Sequence, residues 1–399
     1  MRVLILQQPT STSPVDHWLK EAIPDAEISI VSAVGTARPD EGLSPGVTRY
    51  LYGAYSSEAA MAGLIALCER WRPDRIVSNS EDDILRAGHL RSLFGISGQK
   101  SAMALRFRDK VKMKLLFEEA GLTPVPSRSI QSADDVFEAL ADFGEIVVKP
   151  RLGAGSMGVH FLASEAEARQ LLAGDPELVE ALLEDRLMAE VRQSGSVYHI
   201  DIALKAGRPL LISPSIYLDP PHTFARKNVA SVMLDMGSTP YESLRALATK
   251  FVSALPQDHG ASLLHLEVYA DGEGGYLAGE VACRLGGGLI KDSIRHTYGV
   301  DLSRLGYLLA TGIDNEAEPR ERVSGQTGFL LWTATEPPPE ADEKPAWCIK
   351  SFYCARTVDA VDSVDALGRF LVEGSCAEQI EARIRSLEGM GPTAGRQFS

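Results

Sequence analysis

The chain has 399 residues, of which 45% are hydrophobic and 24% charged, and a formal net charge of −14. That length exceeds one ordinary core and implies two or three domains, and the composition is that of a folded globular protein. The acidic balance excludes a general binder of nucleic acid or anionic membrane, because both need clustered excess Lys and Arg.

In chain order, "RVLIL" after the first Met reads as a strand. The segment turns polar by Gln7 without a cleavage-like site, so a signal peptide is not expected. No apolar run is long enough to span a bilayer, and a cytoplasmic protein is expected. "SEAAMAGLIALCERW" has the periodicity of an amphipathic helix, "PDRIVSN" is a second strand and "DILRAGHLRSLFG" a second helix. Strands alternating with helices predict a Rossmann-like α/β domain with a parallel sheet over residues 1–107, closed by the glycine punctuation of "FGISGQKSA". A helix in "FRDKVKMKLLFEEAGLTPVP" stops at Gly121 and Pro124. "SADDVFEALADFG" opens another helix, with Ser132 or Asp134 as cap. "EIVVKP" is a strand, "HFL" its hairpin partner, and "SEAEARQLLA" a helix capped by Ser164. These predict a small α+β lid domain over 108–186. From 187 to 399, "LMAEVRQSGSVYHIDIAL", "RPLLISPSIY", "LLHLEVYAD", "GYLAGEVACRL", "TGFLLWTA" and "WCIKSFYCA" predict a mostly antiparallel sheet. "YESLRALATKFVSAL" and "LIKDSIRHTYG" are its helices, and "EPPPEADEKP" is a loop. The five cysteines form no CxxC pair, so neither a disulfide framework nor a zinc site is expected.

Two stretches carry chemistry. In "EIVVKPRLGAGSMGVHFL", Lys149 precedes Gly153, Gly155 and Gly158. Glycines let backbone N–H groups approach an anion, and the lysine adds a point charge beside it. The order does not fit a Walker A loop, where the lysine follows the glycines on a helix. A hairpin flap over phosphate fits, and so does a tight structural hairpin. In "LHLEVYADGEGGYLAGEVACRLGGG", Glu267 and Glu280 lie on two strands joined by a turn, so their carboxylates can sit side by side. Such a pair is costly to bury unless cations offset it, and hard oxygen ligands suit Mg2+. Arg284 would bring a guanidinium matched to a carboxylate or phosphoryl group. The alternative is two solvent-facing glutamates and a surface arginine.

Together these motifs resemble the ATP-grasp enzymes, in the branch that includes biotin carboxylase and the carboxylate–amine and L-amino-acid ligases. The resemblance covers residues 70–300. "RIVSNSEDDILRAGHLRSLFGISGQKSAMALRFRDK" is similar to the half-motif ending in a phosphate-binding lysine, here Lys110. "VVKPRLGAGSMGV" is similar to the strand lysine and glycine flap, here Lys149 with Gly155, Ser156 and Gly158. "LMAEVRQSGSVYHID" resembles the hinge that faces adenine through Glu190 and the backbone of Val191 and Arg192. The Glu267–Gly288 stretch resembles the metal and acyl-phosphate segment.

The resemblance implies an α/β and α+β ATP-grasp fold of three domains and the cofactors ATP and Mg2+, with two ions on Glu267 and Glu280 and Mn2+ able to substitute. It implies an ATP-dependent carboxylate–amine ligase that forms an amide through an acyl phosphate, with Arg284, Lys149 and Glu280 as catalytic residues. Gly286, Gly287 and Gly288 would help Arg284 hold the acyl group. Glu81 matches a position that binds an amino-acid ammonium, although an acidic helix cap fits as well. His222, Arg226 and Lys227 form a substrate loop or a solvated basic one. His265, on the Glu267 face, orients that glutamate or packs beside it. Lys114 competes with Lys110 for the phosphate role, and Lys110 is favoured.

Two departures stand out. Val197 occupies a position where many members hold ribose with Glu, and Ala282 one where many carry a metal-binding Asn. Partners implied are a small-molecule carboxylate and an amine, with no nucleic acid and no membrane; a homodimer follows by analogy. The rival expectations are an ATP-grasp carboxylase using bicarbonate or formate, and a nucleotide-binding protein that has lost catalysis.

Overall fold

The computed structural model describes residues 1–7, 11–35, 42–78, 80–81, 83–155, 157–219, 228–313, 325–333, 344–353 and 366–390. The strands β1 (Arg2–Leu6), β2 (Glu27–Ala33), β3 (Thr48–Tyr52) and β4 (Arg75–Val77) form a parallel sheet in the order β3-β2-β1-β4. Val3 to Leu6 are all fully buried, as a strand covered on both faces requires. Helices Glu58–Trp71 and Ile84–Leu93 cover one face. The other face takes Val15–Ala22 and, from much later in the chain, Leu302–Ala310.

The second sheet contains β5 (Ser127–Ile130), β6 (Ile146–Pro150), β7 (His160–Leu162) and β8 (Leu187–Val191), antiparallel in the order β5-β8-β6-β7. Ile146 and Val148 point into a core with helices Ala133–Phe143, Glu165–Gly174 and Pro176–Leu183. By the two-residue period of a strand, Val147 and Lys149 face the other way. Ser132 caps the first of these helices: its hydroxyl accepts from Asp135 N–H at 3.2 Å while the Asp135 carboxylate accepts from Ser132 N–H at 2.9 Å. β8 pairs with β5 and β6, whereas the sequence groups "LMAEV" with the strands that follow it. The boundary we propose for the small unit therefore falls after Val191 instead of 186.

The third sheet is antiparallel, ordered β13-β12-β9-β10-β11-β14-β16-β15. Its strands are β9 (Val197–Lys205), β10 (Arg208–Tyr217), β11 (Val229–Met233), β12 (Leu263–Ala270), β13 (Tyr276–Ala282), β14 (Gln326–Trp332), β15 (Cys348–Tyr353) and β16 (Gly368–Gly374). Helices Lys110–Glu119 and Thr239–Ala254 pack on one face around Phe117 and Phe251. Ile290–Tyr298 packs on the other. The outer edge of β13 is covered by the segment leading into the small sheet: Val125 N–H donates to the Ala278 carbonyl at 3.0 Å and Ala278 N–H to the Thr123 carbonyl at 2.8 Å. Among the described residues no helix is long and apolar enough to cross a membrane.

Candidate active site

Strand pairing brings the two glutamates together. Glu267 in β12 stands directly opposite Glu280 in β13, and residues so paired share a sheet face. The register then skips Gly279, a bulge that re-aims the strand beside Glu280. A Cβ at 279 would lie 2.7 Å from the Tyr269 ring and 3.1 Å from the Glu267 carbonyl oxygen, so glycine is required. Both carboxylates line one cavity of about 300 Å³, walled by β6, its following turn and β8 on one side and by β12 and β13 on the other. Paired carboxylate oxygens are a donor set that fits Mg2+.

Cations offset these charges. Lys149 Nζ donates to Glu280 Oε1 at 2.8 Å and to Glu190 Oε1 at 2.5 Å. Lys110 Nζ donates to the Gly153 carbonyl at 2.7 Å and lies 3.5 Å from Glu280 Oε2. Burial alone would raise the Glu280 carboxyl, but Lys110 and Lys149 hold it far below the usual carboxylate range. Burial would likewise lower the Lys149 ammonium, and the Glu190 and Glu280 carboxylates overcome that and raise it. Lys114 does not line the cavity. It is buried 3.1 Å from Glu190 Oε2, an ion pair without good hydrogen-bond alignment, and donates to the Gly279 carbonyl at 2.8 Å. Burial pushes its ammonium down in spite of Glu190. Of the two rival lysines, Lys110 is the one at the cavity.

Arg284 also lines the cavity, but its guanidinium is engaged. Its Nε pairs with Glu81, whose other oxygen pairs with Arg108, and its Nη1 donates to the Leu285 carbonyl at 2.7 Å. Arg108 in turn donates to the Leu152 carbonyl at 2.7 Å, at the base of the glycine turn. Gly155, Glu190, Val191, Arg192, Ala282 and Gly287 complete the walls at positions the sequence singles out. The N–H of Val191 is taken by the Pro126 carbonyl at 3.0 Å, and that of Arg192 by the Glu145 carbonyl at 2.9 Å. Those two donors are therefore engaged within the fold. Gly158 and Gly288 do not reach the cavity. Both adopt positive φ, +66° and +62°, and a Cβ would press on the Pro150 ring at 3.0 Å or the Phe329 ring at 3.1 Å. Their glycines serve the turns. Val197 is buried at the start of β9. Ser156, His222, Arg226 and Lys227 lie outside the described residues.

No protein-family model matches the chain. It is 30% identical over 231 residues to an L-arginine-specific L-amino acid ligase of Bacillus subtilis, a match that covers 57% of this chain and 55% of that relative. Among solved structures, an L-amino acid ligase from Bacillus licheniformis superposes with a TM-score of 0.71 at 18% identity, over 98% of this chain and 97% of the other. The biotin carboxylase domain of a Hydrogenobacter thermophilus 2-oxoglutarate carboxylase, solved with MgADP and bicarbonate, superposes with a TM-score of 0.67 at 14% identity, over 99% and 90%. The chain has the ATP-grasp fold.

Within this ATP-grasp architecture the sequence leaves several cavity residues unmarked. Arg108 immediately precedes the Asp109–Lys110 pair, yet nothing in "FRDK" separates a buried arginine from a solvated one. Tyr217, at the end of β10, and Tyr269, two residues beyond Glu267, also face the cavity. For Tyr269 a signal exists, since it shares the strand face of His265 and Glu267.

Proposed function

We propose that the chain is an ATP-dependent carboxylate–amine ligase with an amino acid as one substrate. The observation that carries this reading is the convergence of Lys110, Lys149, Glu267, Glu280 and Arg284 on one cavity between two sheets. ATP would lie in it with its phosphates toward Lys110 and Lys149. Glu280, released by those lysines, and Glu267 beside it would hold two Mg2+ ions, with Mn2+ as a substitute. Bound there, magnesium supplies charge neutralisation to the phosphate oxygens. The substrate carboxylate attacks the γ-phosphoryl group and ADP leaves; an amine then attacks the acyl carbon of the resulting acyl phosphate and displaces phosphate, losing a proton to give the amide. Such transfers rest on positioning and charge stabilisation, which fixed ammonium and guanidinium groups provide. Closure of the glycine turn would keep water from the acyl phosphate.

The Glu81–Arg284 pair favours an amino acid over bicarbonate. A zwitterion can exchange with it charge for charge: the substrate carboxylate replaces Glu81 on Arg284, and the ammonium replaces Arg284 on Glu81. A monoanion would free Arg284 but leave Glu81 with Arg108 alone. A homodimer and a cytoplasmic location belong to the same reading.

The test is phosphate release from ATP over pooled amino acids and small carboxylates, with and without amine. Turnover that requires both an amino acid and an amine supports the ligase. Turnover driven by bicarbonate alone would transfer the assignment to a carboxylase, and tight nucleotide binding without turnover to an inactive scaffold.

A further inference from the structure

Beneath the carboxylates lies a buried polar cluster that the proposed chemistry does not use. In the sheet register His199 of β9 stands opposite Glu267, and Asp201 opposite His265. Asp201 accepts from His265 Nδ1 at 2.9 Å and from His199 Nδ1 at 2.8 Å, one oxygen each. His199 Nε2 accepts from the Ser231 hydroxyl at 2.7 Å. His265 Nε2 lies 3.4 Å from Glu267 Oε1, and Tyr217 lines the cavity with the same glutamate, where burial and that charge raise its hydroxyl. Asp201 is 2% exposed, His199 1% and His265 6%.

Two histidines and an aspartate with ligand atoms within 4.8 Å of one another suggest a metal centre of their own. The bonding argues against it. Ligand atoms held at about 2.0–2.1 Å around a tetrahedral ion are about 3.4 Å apart, whereas here the imidazole nitrogens approach Asp201 to 2.8 and 2.9 Å. All four ring nitrogens already have partners. Among the described residues, this hydrogen-bonded cluster reaches the cavity through the ion-pair contact of His265 with Glu267.

That contact separates the two glutamates. Glu280 is countered by lysines on flexible four-carbon stems, which can leave it for a phosphate. Glu267 is countered by an imidazole fixed at both nitrogens, on the same strand, and lies beside a hydroxyl from β10. We infer that His265, braced by Asp201, and Tyr217 are positioning residues that hold Glu267 as the permanent metal ligand, while Glu280 is the exchangeable one. This rests on the metal–nucleotide reading above. A carboxylate offers about four acceptor sites, so two donors beside Glu267 leave room for an ion. Partners of this kind on ligating side chains typically alter metal affinity by about 10–100-fold when removed.

The test titrates Mn2+ by electron paramagnetic resonance in the presence of a non-hydrolysable ATP analogue. It compares the full-length protein with His265→Asn, Asp201→Asn, Tyr217→Phe and His199→Asn. Mn2+ affinity should fall about tenfold or more in His265→Asn and Asp201→Asn, and severalfold in Tyr217→Phe, which removes only an oxygen at the cavity wall and keeps the test open if the buried variants do not fold. His199→Asn, which removes a bond to Asp201 and packing against the His265 and Tyr217 rings but no donor to Glu267, should lower it less than His265→Asn does. In phosphate release the half-saturating Mg2+ should rise by the same factors, with kcat at saturating metal falling less. Equal Mn2+ affinity in the wild type and Tyr217→Phe, or an equal loss in His199→Asn and His265→Asn, would overturn the inference alone. Failure of the wild-type protein to bind Mn2+ with nucleotide would overturn the proposed function, and this inference with it.

Discussion

Replacing Glu190 by Leu should destabilise the protein by about 3 kcal/mol at neutral pH. Glu190 is 6% exposed and holds Lys149 at 2.5 Å and Lys114 at 3.1 Å. Removing one partner of a buried ion pair costs about 3–5 kcal/mol, because the remaining charge is left without compensation. Only one of the two lysines is stranded here. Lys149 keeps Glu280 at 2.8 Å, whereas Lys114 keeps the Gly279 carbonyl and the more distant charge of Glu280, which places the loss at the low end of that range. Burial already depresses the Lys114 ammonium, and loss of Glu190 depresses it further. A lysine with a lowered folded-state pKa binds fewer protons than the unfolded chain over the window up to about 10.4. The penalty is therefore complete below the folded-state value and shrinks as pH rises from there toward about 10.4. Removing both charges with Lys114→Met/Glu190→Leu should cost under about 1.5 kcal/mol, as an apolar replacement of similar volume does. Urea unfolding followed by circular dichroism, at neutral and alkaline pH, measures all three. A single variant that loses less than about 1 kcal/mol, or a double variant that loses as much as the single, would refute the reasoning.

Lys149→Met should weaken ATP binding by roughly tenfold or more, the equivalent of one charge-assisted hydrogen bond of about 1.5–3 kcal/mol; unchanged affinity in calorimetry would remove Lys149 from the phosphate site. Gly279→Ala forces a Cβ to 2.7 Å from the Tyr269 ring and should cost about 1–3 kcal/mol. It should also lower phosphate release by displacing Glu280, so full activity would refute the bulge's role. Ser132→Ala removes a capping box remote from the cavity and should cost about 1 kcal/mol with kcat unaltered, measurable by thermal unfolding and phosphate release on one preparation.

The parts of the fold that were legible in the sequence are those encoded locally. β1, β6 and β12 are apolar runs of strand length. The helix starts at Ser132 and Ser164 are marked by capping residues whose hydroxyls accept from the N–H of Asp135 and Glu167. Partner choice is not local. "LMAEV" reads like its successors until β6 claims it, and nothing near Leu302 announces that its helix will cover a sheet made from the first hundred residues. The site divides in the same way. Glu267 and Glu280 are linked by a short turn, so their apposition follows from the hairpin. The Arg284–Glu81 pair joins residues 203 positions apart, and Asp201 meets His265 across 64. Such contacts depend on strand order, which hydrophobic periodicity leaves open.

The backbone stitch between Thr123–Val125 and Ala278 ties the small unit to the large sheet along one line. It fastens the entrance of that unit to the outermost strand, two residues before Glu280. Atoms beside a hinge line travel little, and those away from it, the turn after Pro150 among them, sweep wider arcs. Any opening about this line would widen the mouth while the paired strands that carry Glu267 and Glu280 stay in register.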